Sequence, residues 1–275
     1  MQNSINLTPH LYNYGIDELA YYDQGKGEQT ILLIHGFGED HAIWKNQIEF
    51  LSTHYRVIAP NLPGVHCKPL ALHHSQAPDI RMYVEVLHDL MHHLNLDQYF
   101  IVGHSMGGYI GLSFADYYVN HVQGLILFHS TTYEDNEAKK TSRMKVAEFI
   151  QEWGVSKYLE TATPNLFGDA FKKTNPGVIQ NIIESGSSIS QEAMIQFVFA
   201  MRNRKAMTHL LQQSNMPVWM IAGDADLAVT IQDSLEQIKL LPSSNSLVLE
   251  NVGHMGMFEA TDQVNEFIHQ CIQTT

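Results

Sequence analysis

The hydrophobic and polar positions of this chain follow two different patterns that alternate along much of its length. Short runs rich in apolar residues are typical of β-strands covered on both faces, and apolar residues three or four positions apart are typical of amphipathic helices. Strand-like runs occur at Asp17–Asp23, Thr30–His35, Tyr55–Pro60, Tyr99–Val102, Val122–Phe128, Val218–Ala222 and Ser246–Glu250. Helical patterns separate most of these runs, so the chain is predicted to form a mostly parallel sheet covered by helices on both faces.

Four helical patterns accompany the strands. The first predicts either a helix or a turn followed by a helix, and the second follows Asp79, a residue type that caps helix N-termini through its side chain. The patterns are Asp40–Leu51, Asp79–Leu94, Tyr109–Tyr118 and Gln263–Ile272.

The pattern changes after Ser130. No strand-like run occurs from Thr131 to about Ser214, and helical patterns punctuated by proline and glycine replace it. The candidate helices are Asn136–Glu152, Val178–Ser185 and Gln191–Met201. We therefore predict one α/β core formed by residues 1–130 and 215–275, with a helical insertion at residues 131–214.

Composition and charge restrict the classes of partner. The formal net charge of the 275 residues is −13 with only 16 Lys and Arg, so neither a nucleic-acid surface nor an anionic membrane is an expected partner. No apolar run reaches the length of a bilayer span. The N-terminus lacks the basic and apolar regions of a secretory signal, and Cys67 and Cys271 lie too far apart for a metal or redox motif. We predict a cytoplasmic protein, and a single disulfide between the two cysteines stays open as an alternative.

The stretch Gly103-His-Ser-Met-Gly107 lies between a strand-like run and a helical pattern. This is the G-x-S-x-G spacing of a nucleophile elbow, in which a strained turn exposes the serine hydroxyl above the sheet. Glycine suits both flanking positions because the neighbouring backbone leaves no room for a Cβ. The alternative interpretation is a glycine-rich turn with an incidental serine.

A serine hydroxyl needs a general base, and that base needs an orienting carboxylate. Asp226 follows the Val218–Ala222 run and His254 follows the Ser246–Glu250 run, in the chain order Ser, Asp, His. Asp224 competes for the acid position. His104 is expected to pack against the turn rather than act as the base, because adjacent side chains point in different directions.

These motifs resemble those of the α/β-hydrolase superfamily over nearly the whole chain. The matching segments are His35-Gly-Phe-Gly38, Gly103-His-Ser-Met-Gly107, Gly223-x-x-Asp226 and Gly253-His254. The resemblance implies an α/β-hydrolase sheet with a helical cap inserted after the sixth core strand, and this cap would be residues 131–214. The most similar subgroup contains carboxylesterases, C–C bond hydrolases and cofactor-free haloperoxidases.

The resemblance also implies a role for each site residue. Ser105 would be the nucleophile, His254 the general base and then acid, and Asp226 the residue that orients His254. The backbone N–H groups of Phe37 and Met106 would form the oxyanion hole. His35 is expected to order its loop through hydrogen bonds, and Glu259 to support a helix or loop.

The chain departs from the superfamily pattern in two places, one loop and one single position. The loop after the Tyr55–Pro60 run reads Asn61-Leu-Pro-Gly64-Val-His-Cys-Lys68, where the superfamily often has Asp-x-Pro-Gly-x-Gly-x-Ser. Thr230 stands where a proline often follows the acid. Neither departure affects the triad, but the altered loop concerns the wall on the substrate side.

Several other residues invite a binding role. His88 and His92 share one helical face, yet no third ligand accompanies them, so these two and the His73-His74 pair are interpreted as solvated. We predict no metal and no cofactor. Tyr133 and Trp153 are candidates for contact with substrate, as are the Met and Phe side chains at 194–201, with helical core packing as the alternative.

The sequence predicts a serine hydrolase that cleaves a carboxylic ester of a small, largely apolar molecule through an acyl-enzyme. C–C bond hydrolysis, thioester hydrolysis and perhydrolysis use the same triad and stay open. A dehalogenase or epoxide hydrolase of this fold would need a carboxylate at position 105. A non-catalytic ligand receptor on the same scaffold is the alternative from another class.

Overall fold

The computed structural model describes residues 8–15, 17–72 and 77–275. Its strands form one eight-stranded sheet in the order β1-β2-β4-β3-β5-β6-β7-β8. The strands are β1 (His10–Asn13), β2 (Glu18–Gln24), β3 (Thr30–Ile34), β4 (Arg56–Pro60), β5 (Tyr99–His104), β6 (Val122–Phe128), β7 (Val218–Gly223) and β8 (Ser246–Leu249).

The predicted mostly parallel sheet is confirmed. β3 to β8 run parallel, whereas β2 is antiparallel to both β1 and β4. β1 was not predicted, because its four residues are mostly exposed at the sheet edge and show no apolar run. Every residue of β3, β5 and β7 is buried, as strands covered on both faces require.

Helices cover the sheet and fill the connections between its strands. They are α1 (Lys45–Leu51), α2 (Ile80–His93), α3 (Met106–Tyr117), α4 (Glu137–Ala162), α5 (Asp169–Thr174), α6 (Pro176–Gly186), α7 (Gln191–Asn203), α8 (Leu210–Gln213), α9 (Ile231–Ile238), α10 (Gly256–Glu259) and α11 (Thr261–Gln273). None of the helices in the described part of the chain has the length and apolarity to cross a bilayer.

Two local predictions are confirmed at helix starts. Asp40 caps a 3₁₀ turn that leads into α1, and its side chain accepts a hydrogen bond from the amide of Ala42. Asp79 caps α2 by accepting from the amide of Arg81.

His88 stacks on Tyr118 with ring centroids 3.8 Å apart, whereas the His73-His74 pair lies outside the described residues.

Helices α4 to α8 all lie between β6 and β7, in the segment for which the pattern predicted helices alone. α4 is longer than its predicted range and is kinked at Gly154, where φ is +84°. Met194, Phe197 and Val198 of α7 are fully buried, which supports the core-packing interpretation for these three. The division of the chain into a core and a cap at residues 131–214 stays a prediction.

The parallel strands bring distant parts of the chain to one edge of the sheet. β5 is central, since Gly103 pairs with Ile34 of β3 on one side and with Leu127 of β6 on the other. The segments that follow the carboxyl ends of β3, β5, β6, β7 and β8 therefore share this edge. All the predicted catalytic residues follow one of these strand ends.

Candidate active site

Ser105 lies on the sharp turn between β5 and α3. Its φ of +50° and ψ of −112° are strained for a residue with a side chain, as a nucleophile elbow requires. A Cβ at Gly103 would overlap the carbonyl oxygen of Gly107, and a Cβ at Gly107 would overlap that of Ile34. The amide of Ser105 donates to the carbonyl of Phe128 at 2.9 Å, which fixes the turn against β6.

Asp226 contacts His254, which lines the same cavity as Ser105. Nδ1 of His254 donates to Oδ2 of Asp226 at 2.7 Å, and both side chains are buried. The other carboxylate oxygen of Asp226 accepts from the amides of Ala228 and Val229 at 2.8 and 3.0 Å. Asp224 instead accepts from the amide of Asn251 at 2.6 Å, as a turn-forming carboxylate does.

The pKa values of the two partners move in opposite directions. Burial alone would raise the pKa of Asp226, but His254 outweighs that effect and holds this pKa far below its ordinary range. Burial alone would lower the pKa of His254, but the Asp226 carboxylate outweighs it and raises this pKa above 6.5. Asp226 is therefore a fixed anion that orients His254 and stabilises its protonated form.

The sequence analysis did not identify a second histidine, His129, that contacts Asp226. Nδ1 of His129, directly after β6, lies 3.3 Å from Oδ2 of Asp226, although neither ring nitrogen of His129 makes a hydrogen bond within the described residues. Burial, the largest effect, lowers the pKa of His129 to about 4, so this ring is neutral. The sequence places His129 directly after an apolar strand, which indicates this edge of the sheet but not its contact with Asp226.

His129, Asp226 and His254 also offer ligand atoms within 4.8 Å of one another, as a metal site would. Two ligands bound tetrahedrally at about 2.0–2.1 Å would lie about 3.3 Å apart. The 2.7 Å between Asp226 and His254 is a charge-assisted hydrogen bond instead. The donor set fits a catalytic carboxylate and its histidine better than a metal centre.

Two backbone N–H groups beside Ser105 are free to bind an anion. The amides of Phe37 and Met106 make no hydrogen bond within the part of the chain that is described. Met106 opens α3, so its N–H belongs to the helix N-terminus and the helix dipole favours negative charge there. Ser105 and Phe37 line the same cavity.

His35 and Glu39 shape the loop that carries Phe37. Nδ1 of His35 donates to the carbonyl of Gly36 at 2.8 Å, and its Nε2 accepts from the amide of Leu62 at 2.9 Å. Burial lowers the pKa of His35 to about 4, which agrees with this neutral tautomer. Glu39 accepts from the amide of Gly36 at 2.6 Å. His35 therefore orders the loop as expected, and Glu39 was missed.

His104, next to the serine, points away from the cavity and is fully buried. Its Nδ1 lies 3.0 Å from Oε2 of Glu39, and its Nε2 lies 2.9 Å from the carbonyl oxygen of His254. The ring of His104 therefore links the elbow to Glu39 and to the His254 loop.

The loop that carries His254 is also tied to the inserted helices. The amide of His254 donates to the carbonyl of Leu166 at 2.6 Å. Glu259 accepts from the amide of Gly168 at 2.8 Å and from that of Gly253 at 3.1 Å. Burial, its largest effect, raises the pKa of Glu259. Glu259 thus joins the two loops, which matches the supporting role expected for it.

A cavity of about 250 Å³ is lined by Ser105 and His254, which follow strand ends, and by residues of α4, α6 and α7. Much of its wall is apolar, contributed by Phe37, Val146, Leu159, Leu166, Ile182 and Met201. Neither Tyr133 nor Trp153 lines it. Tyr133 lines a neighbouring depression, and Trp153 is 61% exposed beside the α4 kink. The choice of Tyr133 and Trp153 from the sequence did not identify the residues of the cavity wall, because the sequence pattern does not reveal the kink that sets the faces of α4.

Asn61 and Thr230, two of the departures from the superfamily pattern, have structural roles. Oδ1 of Asn61 accepts from the amide of His41 at 2.9 Å, so the amide supplies the acceptor that an aspartate would. Thr230 caps α9 and accepts from the amide of Asp233. Neither Asn61 nor Thr230 lines the cavity.

Comparison with known proteins gives the same fold. A family model described as alpha/beta hydrolase fold matches residues 29–175, more than half of the chain. The chain is 27% identical to a thermophilic esterase from Thermogutta terrifontis, solved with malate bound; the match covers 97% of this chain and 98% of that one, with a TM-score of 0.88.

Two curated relatives also carry the names of hydrolases. The (E)-2-((N-methylformamido)methylene)succinate hydrolase of Acinetobacter baylyi is 26% identical, over 100% of this chain and 98% of its own length. The 2-hydroxy-6-oxo-6-(2'-aminophenyl)hexa-2,4-dienoic acid hydrolase of Metapseudomonas resinovorans is 27% identical, over 90% of this chain and 84% of its own. With its fold, strand order and family match in agreement, the chain belongs to the α/β-hydrolase fold family.

Proposed function

We propose that this protein is a serine hydrolase that cleaves a carboxylic ester of a small molecule through an acyl-enzyme. The observation that carries the proposal is the pairing of His254 with Asp226 at 2.7 Å in the same site as Ser105 on its strained turn. Ser105 and His254 line one cavity, so a substrate there meets both.

In this mechanism, Nε2 of His254 takes the proton from Oγ of Ser105 as that oxygen attacks the ester carbonyl carbon. The amides of Phe37 and Met106 bind the resulting oxyanion, and loss of one such donor costs roughly 3 kcal/mol of transition-state stabilisation. The C–O bond then breaks, and His254 gives its proton to the leaving alkoxide. A water deprotonated by His254 attacks the acyl-enzyme, which releases the carboxylic acid and restores Ser105.

The cavity supports a small substrate. Its volume of about 250 Å³ lies below the roughly 300–1,000 Å³ of common ligand pockets. The apolar side chains of its wall suit the hydrocarbon part of an acyl or alcohol group. We propose that α4 to α8 act as the cap that limits substrate size, since α4 alone contributes Val146, Tyr158 and Leu159 to the wall.

A C–C bond hydrolase is the second candidate. The relative from Metapseudomonas resinovorans carries the name of a hydrolase for a 2-hydroxy-6-oxo-dienoic acid. The same triad serves both reactions, so the nature of the bond has to be decided by substrates.

Two substrate classes test the proposal. Purified enzyme is assayed with 4-nitrophenyl esters of increasing acyl length and with a vinylogous diketone acid. The proposal predicts ester turnover that Ser105→Ala abolishes and that Ser244→Ala, a change at an exposed serine, preserves. Faster cleavage of the diketone than of every ester would favour the second candidate, and ester turnover by Ser105→Ala near the wild-type rate would refute the nucleophile.

A further inference from the structure

We infer that the cavity binds a carboxylate on the substrate, through the guanidinium of Arg143. This inference rests on the proposed function, because it adds a substrate class to the same site. The argument depends on three cationic side chains in the cavity wall and on how each of them is paired.

Lys139, Arg143 and Arg204 line the cavity that contains Ser105. They are three of only 16 Lys and Arg in a chain with a net charge of −13. The overall charge repels an anion at long range, so this cationic group acts locally. Two acidic residues, Glu39 and Asp135, line the same cavity.

The two carboxylates are already committed to other groups. Glu39 is bound by the amide of Gly36 and by His104. The side chain of Asp135 is fully buried and contacts two guanidinium groups, with Nε of Arg143 at 3.1 Å and Nη2 of Arg204 at 2.8 Å. One carboxylate faces two guanidinium groups, which leaves a positive charge in the wall.

All three guanidinium nitrogens of Arg204 already contact other groups. Its Nε donates to the carbonyl of Tyr133 at 3.2 Å, and its Nη1 donates to that of Met201 at 2.7 Å. Its guanidinium also lies over the ring of Tyr109, 4.0 Å from the centroid. Only 6% of this side chain is exposed, so Arg204 is a structural cation.

Arg143 differs from Arg204 in its free donors. It uses Nε for Asp135, and its two terminal nitrogens make no hydrogen bond within the described residues. A quarter of this side chain is exposed, and Arg143 is part of the cavity wall. The terminal nitrogens of a guanidinium form a planar fork that matches the two oxygens of a carboxylate. Asp135 holds Nε and thereby fixes the orientation of that fork.

Lys139 lies one helical turn before Arg143 on α4 and lines the same cavity. Its Nζ is 3.7 Å from Oδ2 of Asp233, so it is only loosely paired. It adds positive charge beside Arg143. The apolar remainder of the wall then suits the chain that joins the carboxylate to the scissile bond, which modifies the expectation of a largely apolar substrate.

The test compares esters that differ in one carboxylate. The 4-nitrophenyl monoester of adipic acid carries it on the acyl side and is compared with 4-nitrophenyl hexanoate. Carboxymethyl hexanoate carries it on the alcohol side and is compared with propyl hexanoate. At least one pair should show a higher kcat/KM for the anionic ester than for the neutral one. In that pair, Arg143→Gln is expected to reduce the ratio of the two kcat/KM values on the order of 10- to 100-fold.

Two variants serve as controls. Lys140→Gln removes a charge from the same helix and should leave the ratio unchanged. Lys140 pairs with Glu137 at 2.9 Å and does not line the cavity. Arg143→Lys keeps the charge opposite Asp135 but lacks the fork, so its loss of ratio should be smaller. An equal loss on anionic and neutral esters, or an unchanged ratio in Arg143→Gln, would overturn the inference.

A binding measurement separates this inference from the proposed hydrolysis. Calorimetry of adipate with Ser105→Ala should show binding that Ser105→Ala/Arg143→Gln loses and Ser105→Ala/Lys140→Gln keeps. If the wild type cleaves no ester while this pattern holds, the proposed function fails and the carboxylate site stands. If esters are cleaved but adipate binds both double variants equally, the carboxylate site fails.

Discussion

His104 and His254 are joined through a side chain and a backbone carbonyl, with Nε2 of the first 2.9 Å from the oxygen of the second. This bond connects the elbow that carries Ser105 to the loop that carries the proposed base. The other ring nitrogen of His104 is held by Glu39. The contacts from Glu39 through His104 to the His254 loop therefore fix the relative positions of two parts of the proposed active site.

Glu39→Gln should destabilise the protein. The carboxylate oxygen Oε2 of Glu39 contacts both the amide of Gly36 and Nδ1 of His104, and glutamine replaces it with a neutral group. Loss of a buried hydrogen bond to a charged group costs about 1.5–3 kcal/mol. Urea unfolding measures the loss, and Glu134→Gln, at an exposed position, is the control. A loss below about 0.5 kcal/mol, as for an ordinary surface change, would show that the carboxylate is not needed to hold this loop.

The rate of ester cleavage should fall on the acid side with protonation of His254. The Asp226 carboxylate raises the pKa of His254 above 6.5, and only the neutral ring can act as a base. A profile of kcat/KM against pH should therefore fall about tenfold per pH unit below an apparent pKa higher than 6.5. Asp226→Asn should lower that pKa and reduce kcat by roughly 10⁴-fold, as loss of the triad carboxylate does in serine proteases. A midpoint at or below 6 would contradict this arrangement.

The same shift predicts a dependence of stability on pH. Because folding raises the pKa of His254, its interaction with Asp226 contributes fully below the unfolded value of 6.5 and is lost as the pH rises through the folded value. The free energy of unfolding is measured from pH 5 to 9 for the wild type and for His254→Gln. The difference between the two, wild type minus variant, should decrease as the pH rises. A difference that increases with pH would contradict a raised pKa of His254.

Gly107→Ala should damage both fold and activity. The added Cβ would overlap the backbone oxygens of Ile34 and His35, which are held in the sheet and its loop. Overpacking of this kind costs about 1–3 kcal/mol and displaces the neighbouring amide of Met106. Gly177→Ala is the matched control, because its Cβ would meet open space in α6. Equal melting temperatures for the two variants would argue against a tight elbow.

The sequence predicted the parts of the site that follow strand ends with a glycine beside them. Ser105, Asp226 and His254 each stand in a short motif after an apolar run, and the parallel sheet brings such ends to one edge. Most of the strands could be predicted for the same reason, since burial on both faces leaves an apolar run. β1 could not, because an edge strand with exposed side chains has no such run.

Residues that act through tertiary contacts could not be predicted. His129 contacts Asp226 across 97 positions, and nothing local in Phe128-His-Ser130 reveals that contact. Asp135, Arg143 and Arg204 form one ion-pair group, but their spacing gives no shared motif. Trp153 was placed at the substrate by its aromatic character, whereas the kink at Gly154 leaves it in solvent.

Covalent labelling of Ser105 tests the central claim most directly. A fluorophosphonate reacts with a serine only when a base activates its hydroxyl and an oxyanion site accepts the adduct. Intact-mass and peptide analysis of the labelled wild type should show a single phosphonyl adduct, on Ser105. Labelling should be absent in Ser105→Ala and strongly slowed in His254→Gln. An adduct formed equally fast in His254→Gln, or located on another residue, would contradict the account.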